Sequence, residues 1–325
     1  MSVVSIGSKS PAGGSLDPSE PPGTRFAPPA RERIEAPPGE PRRIGYLYIL
    51  PAFAFFGVFV LFPMGHSLWL SFTNWDGLTP AKWIGLGNYR GLVSDPEVRA
   101  AFGHALVLVV FYSFIPVTIG LLLAASLSRM RVRGMTFFRT VLFLPQVIAM
   151  VVVGVIWRWM YTPLGSVNAL LRAVGLGSLQ KVWLGDFRWT LPALGLVGTW
   201  VAFGLTMVLF LAGVQKIPTS LYDAARVDGA GPVREFFAVT LPGLRNEVVV
   251  ALTLTILAAL RSFDLIWVTT KGGPGNSSSV PALILYERAF VTNQVGSAAA
   301  IGMSLTLVCF IVVFLVTRLV ERRST

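Results

Sequence analysis

The chain has 325 residues, of which 54% are hydrophobic and only 13% charged, with a mean hydropathy of +0.66. A soluble domain carries about a quarter charged residues, so this composition excludes an ordinary soluble protein and points to an integral membrane one. The formal charge of +11 sits in tails and loops beside apolar runs, not in an aromatic-interleaved basic stripe, which argues for membrane topology and against nucleic-acid binding.

Residues 1–43 are rich in Pro, Gly, Ser and charge. Such a segment buries too little apolar surface to offset its ordering entropy and is expected to be a disordered tail. It lacks the basic-then-apolar layout of a cleaved signal peptide. A membrane domain is expected over 44–320, followed by a short tail at 321–325. Within it, six apolar runs approach the roughly 20 residues that a bilayer requires. They cover about 46–71, 102–127, 140–159, 189–214, 248–268 and 295–317. Pro63, Pro116, Pro145 and Pro192 fall in or beside these runs, and each frees a backbone group that a neighbouring helix must satisfy. A helical bundle follows.

Lys and Arg bias sets orientation. With the N-terminus inside, the inner segments hold nearly twice as many basic residues as the outer loops. Arg42-Arg43, Arg129-Met-Arg-Val-Arg133 and Arg322-Arg323 all abut inner membrane ends, so both termini are expected in the cytoplasm. The outer loops carry turn chemistry, as in Gly85-Leu-Gly-Asn-Tyr89 and Thr270-Lys-Gly-Gly-Pro-Gly275. Cys309 is the only cysteine and cannot form an internal disulfide. His66 and His104 have no acid or thiol at ligand spacing, so no metal site is expected.

The most informative segment is a polar island in the loop 215–245, between the fourth and fifth runs. Ser220 and Asp223 have capping-box spacing, which predicts a helix capped there, with Asp223-Ala224-Ala225 in its first turn. Gly229-Ala230-Gly231 predicts its stop, since glycine favours the left-handed terminal position. Pro232 suits the start of a second helix, ending near Leu241-Pro242. Small side chains on a helix at the membrane face would let another surface approach closely.

Asp223-Ala224-Ala225, Asp228-Gly229-Ala230, Phe236 and Leu241-Pro242, at these spacings, resemble the "EAA" motif of binding-protein-dependent ABC importer permeases. Asp223 stands where that family usually has the longer Glu. Gly85-Leu-Gly-Asn-Tyr89, Phe143-Leu-Pro145, Phe263-Asp264 and Thr270-Lys-Gly-Gly-Pro274 are similar to the carbohydrate branch that handles maltose and glycerol phosphate. The resemblance covers about 44–320. It implies an all-α, six-helix permease of the type I importer class in the cytoplasmic membrane of a prokaryote. The implied partners are a second permease, two ATP-binding subunits and an extracytoplasmic binding protein. It further implies that Asp223, Ala224, Ala225, Asp228, Gly229, Ala230, Leu241 and Pro242 form the contact with the ATPase.

Arg261 and Asp264 interrupt the fifth run three residues apart, which places them on one helical face if the helix is continuous. Charges in hydrocarbon cost several kcal/mol by the lower estimates, about 2.5–3.5 each. They either line a translocation path and meet substrate hydroxyls, or pair with one another and pin the helix. No phosphate-binding loop of the Gly-x-x-x-x-Gly-Lys-[Ser/Thr] kind occurs, so ATP and Mg are expected on a partner and not on this chain. A membrane enzyme would need a nucleophile–base pair or clustered acids, and an ion-coupled transporter commonly buries proton-relay acids. The sequence offers no such pair or cluster and only Asp264 for a relay, so both alternatives are disfavoured and no catalytic residue is expected.

Overall fold

The computed structural model describes residues 42–128 and 134–321, and every regular element among them is a helix. Most of the expected tail, the Arg129–Arg133 run and Arg322-Arg323 lie outside these residues. Helix α1 (Arg42–Phe56) is one unit, with its apolar side chains from Tyr46 onward exposed. The residues from Gly57 form the second unit.

That second unit opens with a π turn (Gly57–Leu61) and α2 (Phe62–Leu70), then a loop leads to α3 (Gly87–Ser94). Helix α4 (Pro96–Val109), a π turn (Val110–Phe114) and α5 (Ile115–Ser128) run on as one rod. Next come α6 (Met135–Val147), α7 (Met150–Met160), α8 (Ser166–Ala173) and the 25-residue α9 (Thr190–Val214). The polar island folds as α10 (Thr219–Val227) and α11 (Pro232–Glu235), then a π turn (Phe236–Thr240) and α12 (Leu241–Gly243). The chain closes with α13 (Arg245–Leu260), α14 (Asp264–Thr269), α15 (Pro281–Phe290) and α16 (Val295–Glu321).

Among the described residues, five helical stretches are long and apolar enough to cross a bilayer: Tyr46–Leu70, Pro96–Leu127, Thr190–Val214, Arg245–Thr269 and Val295–Arg318. The expected third span departs from a straight rod. Thr136–Val147 and Met150–Met160 meet at 96°, because Ile148 and Ala149 both take an extended ψ of 133°. The fifth span is also interrupted, since α13 stops at Leu260 and α14 starts only at Asp264.

Helix α9 is the centre of the bundle and is buried along most of its length, with Val197, Met207 and Phe210 fully enclosed. Its hydroxyls answer the question posed by Pro116. In the π turn the carbonyl of Phe111 would look to the amide of residue 116, where proline has none. Thr199 donates to that carbonyl at 2.6 Å, and Thr206 donates to the Pro116 carbonyl at 2.8 Å. Gly120 lets α5 come close at this point, since a Cβ there would collide with Thr206.

At the bundle end remote from α10, side chains tie the loops together. The Asn88 amide donates to the carbonyls of Ser71 and Thr73, each at 2.8 Å. Asp95 caps α4, accepting from the amides of Glu97 and Val98, and pairs with Arg288 of α15. Its partial burial pushes the carboxyl up, but those two amides and the guanidinium outweigh the burial and hold it below its ordinary 3.8.

Candidate functional site: an exposed helix and a polar cavity

The nine-residue α10 buries none of its residues. Asp223, Ala224, Asp228 and Gly229 are exposed, and Ala225 and Ala230 half-buried. Leu221 and Val227 also face outward, at 51% and 88% exposure. A short helix presenting apolar and small side chains, unburied by its own chain, has the character of a protein-contact surface.

The helix start differs from expectation. Pro218 is the N-terminal boundary and no side chain caps it. The rigid φ of proline sets the entry, so the helix begins at Thr219 and the expected Ser220–Asp223 capping box does not form. Asp223 lies mid-helix and pairs instead with Arg226 at 3.4 Å. The helix end follows the sequence closely. Gly229 has φ +74, its amide donates to the Arg226 carbonyl at 3.0 Å, and Ala230 donates to the Ala225 carbonyl at 2.9 Å. This is the two-bond glycine stop.

Side chains fasten α10 to the segment that follows. Arg226 reaches the buried Glu235 at 3.5 Å, and the Tyr222 hydroxyl lies 3.2 Å from Thr240. Leu241 is half-buried and Pro242 exposed on α12, which leads directly into α13. Lys216, just before α10, pairs with Glu247 of α13 at 3.1 Å. The island is therefore tied to α13 through Lys216 at its start and held together by Arg226 and Tyr222 within.

At the other end of α13 lies a cavity of about 360 Å³. Arg261 and Asp264 line it, together with Tyr112, Gln146, Thr255 and Ser262. The helix break at 261–263 removes the continuous helical face on which an i,i+3 pair was expected. Both charged residues are exposed, and they do not pair with one another. The Ser262 hydroxyl, on a residue only 8% exposed, has no hydrogen-bond partner. A buried orphan hydroxyl in a cavity wall is a place for a ligand or water to bond. Arg261 also lines a neighbouring cavity of about 540 Å³, beside Thr306 and Cys309.

Tyr112, Gln146, Thr255 and Ser262 were missed in the sequence, where they are scattered polar groups with no shared spacing. No group of three or more metal-binding side chains occurs among the described residues. His104 hydrogen-bonds the Ser279 carbonyl at 2.9 Å.

Residues 116–325 match the family described as binding-protein-dependent transport system inner membrane component. A probable ABC transporter permease protein of Bacillus subtilis is 38% identical, over 80% of this chain and 89% of its own. A diacetylchitobiose uptake system permease protein of Streptomyces coelicolor is 34% identical, over 82% and 80% respectively. A multiple sugar-binding transport system permease protein of Streptococcus mutans is 32% identical, over 86% and 95%. Among solved structures, a bacterial ABC transporter involved in import of the acidic polysaccharide alginate superposes with a TM-score of 0.74. It is 22% identical and covers 87% of this chain and 96% of its own, so this likeness speaks to the fold.

Proposed function

Because the chain belongs to the binding-protein-dependent transport system inner membrane components, we propose that it is the membrane-spanning permease of an ATP-driven sugar importer. Its cargo is a sugar or a related polyol or sugar phosphate, delivered by an extracytoplasmic binding protein. The permease relatives from Streptomyces coelicolor and Streptococcus mutans are named for sugar uptake, which supports that class. A structure of the alginate transporter is a complex with a periplasmic protein carrying an alginate pentasaccharide, which supports the binding-protein partner. The remaining assembly in this reading is a second permease and two ATPase subunits that bind ATP and Mg. Both termini then lie in the cytoplasm.

The observation that carries the reading is α10 with its glycine stop, exposed between two membrane spans and fastened to the segment that leads into α13. An ATPase seated on Ala224, Ala225 and Gly229 would move α10 when its subunits close on ATP. Arg226–Glu235 and Tyr222–Thr240 would pass that motion through α12 into α13. The far end of α13 is the break at 261–263, where the cavity opens. Arg261, Asp264 and the free Ser262 hydroxyl would meet substrate hydroxyls there. The energy input and the cargo site thus sit at opposite ends of one helix.

Co-purification tests this directly. The unmutated chain is expected to bring down its ATPase, and Gly229→Val or Asp223→Lys to lose it. Uptake that persists without any ATPase, driven by a proton gradient, would overturn the proposal.

A further inference from the structure

Four aromatic rings connect the cavity with the surface remote from α10. Phe263 lines the cavity and stacks on Trp267, with ring centres 5.8 Å apart and planes at 14°. Tyr286 of α15 lies against both, at 5.4 and 4.8 Å. Phe290 continues the series at 5.3 Å from Tyr286 and is 73% exposed. Phe263, Trp267 and Tyr286 are only half-buried. Phe263 and Trp267 rest on the core with one side while the series stays partly open on the other, which leaves ring surface available for contact.

The same stretch carries charge. Arg261 in the break, Asp264 at the start of α14 and Lys271 just past its end are all exposed. The Lys271 ammonium lies 5.4 Å from the centre of the Trp267 ring, and Arg158 of α7 reaches the Val268 carbonyl at 3.4 Å. Exposed charges of both signs do not suit lipid tails, so this segment meets water, cargo or protein. Its chemistry favours one of these. A pyranose has a flat C–H face that lies on an aromatic ring, and rim hydroxyls that both donate and accept hydrogen bonds. Aromatic platforms with a few polar groups of both signs match both features.

We infer that Phe263, Trp267 and Tyr286 form a stacking track that passes saccharide rings from the outer mouth to the cavity, with Asp264 and Lys271 bonding their hydroxyls. The inference rests on the sugar-importer reading. It adds a binding surface outside the cavity and assigns it to the ring faces of the cargo.

The test uses cells carrying the complete transporter, offered a mixture of oligosaccharides from partly hydrolysed starch, chitin and alginate, with uptake read by mass spectrometry. For whichever oligosaccharide enters, Trp267→Ala and Tyr286→Ala are expected to raise the apparent KM about tenfold, the scale of one lost stacking contact. Trp267→Phe should restore most of it. Recovery of the second permease in the purified complex should not change. An unchanged KM in both alanine variants would overturn the track. So would an equal loss in Trp267→Phe, or loss of the second permease from the complex, which would make this face a protein contact. If the unmutated transporter takes up none of the oligosaccharides, the track for saccharide rings is overturned, while the importer reading is judged separately by ATPase co-purification.

Discussion

Arg226 answers two carboxylates at once, Asp223 on its own helix and Glu235 below it. The Asp223 contact is open to solvent and contributes little. The Glu235 contact is different, because that carboxylate is 4% exposed, and a charge in such a place depends on its cation. Arg226→Ala is expected to lower the apparent Tm of the purified complex by an amount corresponding to about 1–2 kcal/mol. It should also reduce transport more than it reduces ATPase binding, since the proposed docking residues Ala224, Ala225 and Gly229 are unchanged. Asp95 gives a second prediction, in pH. Its carboxyl is held below 3.8 in the folded chain, so its stabilisation is present above the unfolded value and is lost as pH falls through the folded one. The acid limb of a Tm-against-pH curve should therefore flatten in Asp95→Asn. Asparagine still caps α4 but loses the charge that faces Arg288, worth about 1 kcal/mol.

At the scale of elements, close approach decides the packing around α9. A Cβ at Gly204 would run into the Leu142 carbonyl, and one at Gly198 into the Tyr112 ring. Backbone cannot yield as a ring can. Gly204→Ala is expected to cost about 1–3 kcal/mol and to separate α6 from α9, seen as a lower Tm and faster proteolysis of the purified complex. The apolar spans were legible because hydrocarbon thickness fixes their length, and Pro116 correctly announced a neighbour able to satisfy its freed carbonyl. The breaks were harder to see. Ile148 and Ala149 are ordinary helix residues with no local breaking signal, and past the bend α7 packs against α14. At 261–263 the sole hint was charge, which read as a feature of a helix face although it marked the end of one. The short helices α3, α8 and α15 went unpredicted, since their apolar faces are too short to stand out between the spans.

At the scale of the whole molecule, α13 joins two sites of unlike chemistry. The motif residues of the first were readable because a glycine stop and a Leu-Pro pair leave a spaced pattern in the chain. The cavity was only half readable. Arg261 and Asp264 stood out, while Tyr112, Gln146, Thr255 and Ser262 come from the π turn, α6, α13 and the break, and no local pattern unites them. If the two sites are mechanically linked, Ser262→Val should leave docking intact. It should weaken transport about two- to tenfold, by removing one hydrogen bond to cargo. Uptake measured beside ATPase co-purification separates these effects.

Three π turns occur among the described residues, Gly57–Leu61, Val110–Phe114 and Phe236–Thr240, and each ends two positions before a proline. Each holds one residue more than α-helical spacing would use. The extra residue sets the phase of everything downstream. Deleting a single residue at 110–114 would restore ordinary spacing and rotate the rest of the rod by about 100°. Gly120 would swing off Thr206, and the hydroxyls of α9 would face the wrong carbonyls. In this bundle the length of a helix is thus an angular setting, and a gap of one residue in an alignment is a turn of the key.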